Sequence, residues 1–394
     1  MSAGKHNASA SAVGYQYQTN WCLLELLRRG PQRPDSAISL EMHDDVAWED
    51  DGTPLQLLQT KHHLGTAAGL GNKDTDIWKT LLVWMNVGNP TDHHGPTLIL
   101  VTTSMATPST AAYLLREASR NTADALDLLT DAAATSTSRE TDKARARFLA
   151  LSPSERQTFV SRITVVDGSP TVDDIDAEVR EVLWHVLPVG HEDLFLAQLW
   201  RWWAGVALDM LRGRRTAVDA GEARAYISSL RNRFGDDDLP TLVELADVNE
   251  DNVVAAHDSS IFVQQMRWVR YNPVNLRKAI VDYHRAVTQT VEWVAEDLIG
   301  LHELQRFEDN LRDEWSRVFA DMIDDVGADA DEETKIMAGK QLLRQLRDST
   351  AVNVRARYND PFFARGKRQE LADQGDVGWH PDFQARLEAI LTVT

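Results

Sequence analysis

"LEMHDDVAWEDDGTPLQLLQTKHH", Leu40 to His63, carries two signals at once. Its apolar residues alternate with polar ones, the period of a half-buried strand. Ile38, Leu40 and Met42 fall on one side of "SAISLEMH", with Ser39, Glu41 and His43 on the other. "DDVAWED" continues as a second short strand, Asp50–Gly52 reads as a turn, and "PLQLLQTKHH" forms a third strand. The same stretch holds six acids and a Gln-x-Lys. A hairpin with a solvated acidic rim, Glu49 included, accounts for most of these acids. Gln59 and Lys61 differ, because they share strand parity with Leu55 and Leu57. Polar groups on an otherwise apolar face need partners.

Outward from this meander, "GYQYQTNWCLLELLRR" (14–29) reads as an amphipathic helix with Leu23, Leu24, Leu26 and Leu27 on its apolar face. Gly30 and Pro31 stop it. Downstream lie a Gly-rich loop, a helix through "IWKTLLVWMNV", and "TLILVTT" (97–103), a continuous apolar run typical of a strand buried on both faces. A polar helical insert spans about 108–160, and "RITVVDG" (162–168) returns as a further strand. "TVDDIDAEVREVLWHVL" predicts a helix capped by Thr171. From there on the pattern is mainly helical. The expected organisation is an α/β domain over 1–212, a junction over 213–250 and a helical C-terminal domain over 251–394.

With 394 residues and 43% hydrophobic content, the chain can bury two cores. Cys22 is the single cysteine, which rules out an intrachain disulfide and fits a reducing, cytoplasmic setting. The polar start lacks a signal-peptide apolar region, and no apolar run is long enough to cross a bilayer. The net charge of −19 argues against a bulk nucleic-acid binder but not against metal-assisted chemistry on DNA. There is no G-x-S-x-G elbow and no G-x-x-x-x-G-K-[ST] loop, so acyl-transfer and P-loop chemistry are not supported. "AWEDDG" fails as a calcium loop, since aligning Gly52 places Ala47 at the first ligand position and Leu58 at the last.

The chemistry that fits is Mg²⁺-dependent phosphodiester hydrolysis. Asp45 would supply a hard anionic oxygen, with the Gln59 amide oxygen and the Thr60 backbone carbonyl completing the protein's share. Lys61 would orient the attacking water or balance developing charge, and Glu41 could hold a second metal or a bridging water. Asp44 is the alternative ligand to Asp45, which is preferred for its Asp-Val context. Because an amide is a weaker ligand than a carboxylate, low resting metal affinity is expected.

"GYQYQ" opening a helix, then "LEMHDDV", "LLQTKH", a helix and "LILVTT", resembles the PD-(D/E)xK nuclease superfamily in its D…QxK variant. The resemblance covers roughly the first half of the chain. It implies a restriction-endonuclease-like fold, a mixed sheet flanked by helices, with Mg²⁺ or Mn²⁺ as cofactor and double-stranded DNA as substrate. It places the core site at Asp45, Gln59 and Lys61, with Glu41 as an additional acid and Gln18 as a helix-borne supporting residue. "FFARGKRQELADQGDVGWHPDFQARL" and the helices before it look like the C-terminal domain of effectors in ABC-three-component anti-phage defence systems, which include Lamassu. That likeness implies an SMC-like ATPase and a small accessory subunit as partners, and a C-terminal domain for docking and for homo-oligomerisation to a dimer or tetramer. A non-catalytic DNA-binding or scaffold subunit of the same complex is the alternative.

Other candidates receive plainer readings. Trp379 and His380 are expected to pack in a Gly-Trp-His-Pro turn. His62 and His63 are read as exposed, and His93 and His94 are given no role. The basic cluster Arg365, Lys367 and Arg368 is read as pairing between subunits.

Overall fold

The computed structural model describes residues 3–61, 69–87, 92–327 and 329–391, excluding the side chains of 3–11 and 391. The chain divides into two compact units, Met1–Arg231 and Asn232–Thr394. No helix among the described residues is long and apolar enough to cross a membrane.

The first unit is built on a mixed six-stranded sheet flanked by helices. In chain order its elements are α1 (Ala3–Arg29), β1 (Ala37–Leu40), β2 (Val46–Asp50), β3 (Thr53–Lys61), α2 (Thr75–Val87), β4 (Thr97–Thr102) and α3 (Ala111–Leu114). Then come α4 (Thr122–Thr135), α5 (Asp142–Ala150), α6 (Pro153–Ser161), β5 (Ile163–Val166), α7 (Ile175–Leu183), α8 (Glu192–Leu211), β6 (Val218–Asp219) and α9 (Ala220–Asn232). The strand order is β5-β4-β3-β2-β1-β6. β1, β2 and β3 form an antiparallel meander, with β2 and β3 joined through Asp51 and Gly52. Both of those residues have left-handed backbones, which matches the right-handed twist of the flanking strands. β3, β4 and β5 run parallel. A parallel pair needs a crossover, and the expected insert supplies it as α3 to α6 between β4 and β5.

One face of the sheet packs Ala47, Leu57, Leu98 and Leu100 against Trp78, Leu81 and Trp84 of α2, with Leu129, Phe148 and Phe159 of the crossover behind. The other face meets α1, whose Leu23, Leu24 and Leu26 are buried. Trp48 of β2 donates its indole N–H to Glu25 of α1 at 3.1 Å, and Trp203 of α8 donates to the Thr19 carbonyl at 2.8 Å. These two bonds fix α1 between the sheet and α8.

Several expectations change. β1 ends at Leu40, and Glu41–Asp45 form a bent loop, so Met42 is exposed and Glu41 is not on a strand. Leu55 is exposed because the β3 face it shares is covered only from Leu57 onward. Glu49 is buried, and His43 Nε2 lies 3.0 Å from its Oε2, so it is not part of a solvated rim. Thr171 does not cap α7: its N–H and hydroxyl donate to the Asp174 carboxylate, and Asp174 occupies the cap position before Ile175. The break between the two units falls after Arg231. β6 pairs with β1 and so belongs to the first unit, while Leu239–Val243 is tied to the second.

The second unit is helical: α10 (Glu250–His257), α11 (Ile261–Trp268), α12 (Pro273–Ala295), α13 (Leu301–Val326), α14 (Glu332–Asp348), α15 (Pro361–Asp373) and α16 (Phe383–Leu391). α12 and α15 pack tightly at Gly366, where an added Cβ would lie 2.1 Å from the Asp282 carbonyl oxygen. Fully buried Gln289 on α12 accepts the N–H groups of Leu242 and Val243, and Trp293 donates to the Pro240 carbonyl. Around these bonds Trp293, Tyr358, Phe307 and Phe363 form an aromatic core.

Candidate functional site

The site is organised by the loop between β1 and β2. Glu41 takes a left-handed backbone (φ 54°), and its N–H donates to the Asp45 carbonyl at 3.1 Å, so the loop closes on itself. Gln18 of α1 is 6% exposed. Its Nε2 donates to both Glu41 Oε1 (2.9 Å) and the Asp45 carbonyl (2.6 Å). One helix side chain thereby holds both ends of the loop.

Asp45 stands just past the Val46–Leu58 pair, beside Gln59. Its Oδ2 accepts the Thr60 backbone N–H at 2.9 Å and the Thr60 hydroxyl at 3.1 Å. Oδ1 takes no hydrogen bond from the described residues. Asp44 is turned elsewhere. Its Oδ2 accepts the Trp84 indole N–H at 2.8 Å and its Oδ1 accepts the Asp45 N–H at 3.0 Å. Burial pushes the Asp44 carboxyl up to about 7, against the opposing effect of the Trp84 bond. Of the two adjacent acids, Asp44 thus has both oxygens engaged, one by α2 and one by its own loop, and Asp45 keeps one without a partner among the described residues.

Gln59 is 4% exposed, and its Oε1 has no hydrogen-bond partner among the described residues. A buried acceptor in that condition costs about 1–3 kcal/mol unless something fills it. Lys61, half-buried at the end of β3, makes no ion pair with a described residue. Glu41, Asp44, Asp45, Gln59 and Lys61 line one open cleft of about 400 Å³, with Val83 and Val87 of α2 as its apolar wall. His43 also lines this cleft, and Trp84 supports it through Asp44; the bare sequence gave no signal for either. Gln18 lies behind the loop. Thr60 contributes through its N–H and hydroxyl. His62 and His63 lie outside the described residues.

The remaining sequence candidates are in other places. Trp379 and His380 are buried, with the Asp382 N–H donating to His380 Nδ1 at 3.1 Å. Burial and the Arg386 charge lower the His380 pKa. His93 is exposed and lies 3.4 Å from the Thr158 hydroxyl. The cluster read as pairing between subunits has partners within its own unit. Lys367 is 2% exposed and ion-paired at 2.7 Å with both Glu308 and Glu370. Arg368 donates to Glu314, and Arg365 Nε donates to the Arg347 carbonyl at 3.0 Å. The spacing of α15 turns Lys367 and Arg368 inward onto these acids, while Arg365 is half-buried and engages through Nε alone.

Fold and cleft together define a two-unit protein: an α/β unit with an acid-lined cleft that also holds a buried amide and a lysine, followed by a helical unit. Residues 262–387 match the model of the family described as C-terminal domain 7 of the ABC-three component (ABC-3C) systems. The chain is accordingly a component of an ABC-three-component system. A comparison with curated proteins returns no match.

Proposed function

We propose that the first unit is a divalent-metal-dependent endonuclease for double-stranded DNA, working as the effector of its ABC-three-component system. The observation that carries this reading is the convergence of Asp45, Gln59 and Lys61 on one cleft, with the Gln59 oxygen buried and unpartnered. The residues fit a hard cation. Asp45 Oδ1 and Gln59 Oε1 are oxygen ligands that no hydrogen-bond donor among the described residues occupies, and Glu41 lines the same cleft. Bound there, Mg²⁺ or Mn²⁺ would lower the pKa of water and offset phosphate charge.

The chain's own groups supply the rest. Thr60 and Gln18 fix the Asp45 carboxylate and backbone, so the donor set is preorganised. Lys61 brings positive charge to where a scissile phosphate would develop negative charge. The acidic cleft of a −19 chain repels DNA until a cation is present, which makes metal binding a precondition for substrate approach. The second unit would dock the effector to the other subunits, an SMC-like ATPase and a small accessory protein, and bring copies of the chain together.

The test is Lys61→Ala in purified protein with linear duplex DNA and Mn²⁺. Loss of cleavage with an unchanged melting temperature is expected, and full cleavage by this variant would sink the proposal. Mn²⁺ titration separates it from a scaffold role: an enzyme binds the metal and loses it in Asp45→Asn, whereas a scaffold shows no metal binding at millimolar concentration.

A further inference from the structure

The second unit contains a cavity of about 550 Å³ between α12, α14 and α15, within the size range of small-molecule sites. Its walls are mainly apolar, formed by Val281, Leu343, Leu346 and Phe362. Three polar groups with no hydrogen-bond partner among the described residues belong to residues that line it. They are Arg368 Nη1, Gln369 Oε1 and the indole N–H of Trp379, on residues 3%, 7% and 1% exposed. Leaving two donors and an acceptor buried and unfilled is costly at each position, and folded proteins keep such groups rare. A ligand that carries both acceptors and a donor relieves all three.

The charge of the lining sets the ligand's sign. Six cations, among them Lys278, Arg365 and Arg347, face three acids, Glu250, Asp282 and Asp360, in a chain with net charge −19. Several of these cations are already engaged: Arg277 with Glu250 and Asp251, Arg347 with Asp348, and Arg285 with the Val243 carbonyl and the Phe362 ring. Lys278 makes no hydrogen bond or ion pair with the described residues, and Arg365 makes one, through Nε alone. The cavity therefore offers an apolar slot, an unfilled donor and acceptor edge, and uncommitted positive charge.

We propose that this cavity binds a heteroaromatic anion of the nucleoside monophosphate class. The flat ring would lie between the aliphatic walls, its edge would meet Gln369, Trp379 and Arg368, and the phosphate would pair with Arg365 and Lys278. This site is in the other unit from the nuclease cleft, and the two readings fail separately.

The experiment is thermal denaturation and calorimetric titration of the full chain with AMP, GMP, CMP and UMP. Adenosine and inorganic phosphate serve as the matched half-ligands. At least one monophosphate is expected to raise the melting temperature and bind saturably, with both half-ligands weaker by about tenfold or more. Arg365→Gln, on a half-buried side chain, should weaken binding by about tenfold while leaving the unliganded melting temperature in place. Gln369→Met keeps the side chain's length and removes the buried acceptor, and it should weaken binding several-fold. No shift with any monophosphate at millimolar concentration overturns the proposal. So does equal binding of inorganic phosphate, or affinity unchanged in both variants.

Discussion

Asp45 is held to Thr60 by two hydrogen bonds on a single oxygen, Oδ2, at 2.9 Å from the backbone N–H and 3.1 Å from the hydroxyl. The arrangement leaves the second carboxylate oxygen without a partner among the described residues while removing the rotational freedom of the side chain. A carboxylate fixed in this way presents one defined lone-pair direction to the cleft. Asp44, one residue earlier, uses both oxygens internally. Two chemically identical neighbours thus do different work, one fastening the loop to α2 and the other facing the cleft.

The Gln59 position gives the first prediction. Gln59→Glu replaces the unpartnered amide with a carboxylate beside Asp45, which adds ligand charge. Mn²⁺ affinity is expected to tighten by about tenfold, in line with the dependence of hard-cation affinity on carboxylate count. Without metal the added buried charge should lower the melting temperature, and Mn²⁺ should restore it. Metal affinity equal to that of the parent chain would remove Gln59 from the ligand set.

Gln18 gives the second. Gln18→Leu deletes both bonds to the loop and leaves the Asp45 carbonyl with only the Glu41 N–H. The expected cost is about 1–2 kcal/mol of stability, read by urea denaturation. Mn²⁺ binding should weaken as the loop loosens. A loss of stability with metal affinity intact would confine Gln18 to packing.

Much of this was legible in the sequence because strand parity is a strict rule. Alternation over Leu57, Gln59 and Lys61 places the amide and the lysine on one face whatever surrounds them. The loop was not legible: period-two alternation runs through Met42, yet the chain leaves the sheet after Leu40. Gln18 and Glu41 take the backbone into a left-handed turn through contacts from a distant helix, which no local pattern records. The acid Glu49 misled for the same reason, since its partner His43 reaches it from across the loop. In the second unit the basic run of α15 looked like a surface because its partners, Glu308 and Glu314, lie more than 50 residues away.

The third prediction concerns pH. Burial pushes the Asp282 carboxyl from 3.8 up to about 6, despite the nearby Arg365 and Arg285 charges. Its folded-state pKa is raised, so between about pH 4 and pH 6 the folded chain holds a proton that the unfolded chain has released. Stability from this group is fully present below about pH 4 and declines as pH rises to about 6, by roughly 1–2 kcal/mol after allowance for partial exposure. Asp282→Asn should flatten that decline in urea midpoints measured across the window. An unchanged slope would mean that Asp282 is ionised throughout.

The last prediction tests how α15 is held. Lys367 is almost fully buried between Glu308 of α13 and Glu370 of its own helix, with both ion pairs at 2.7 Å. One step before it, Gly366 lets α15 approach α12 so closely that a Cβ would lie 2.5 Å from that of Ala286. The two residues seat α15 on different neighbours, the glycine permitting the approach to α12 and the lysine neutralising Glu308 of α13 and Glu370. Lys367→Met keeps the aliphatic stem but leaves two carboxylates facing each other without a cation. The expected loss is about 3–5 kcal/mol, the cost of breaking a buried pair by removing one partner. Replacing Glu308 and Glu370 with Gln in the same chain should recover most of it, because the penalty belongs to the stranded charges and not to the missing lysine. Gly366→Ala should cost about 3 kcal/mol by forcing the helices apart, with no such rescue. A Lys367→Met variant within about 0.5 kcal/mol of the parent in urea denaturation would place that lysine at the surface and return the basic cluster to the role of a partner-facing patch.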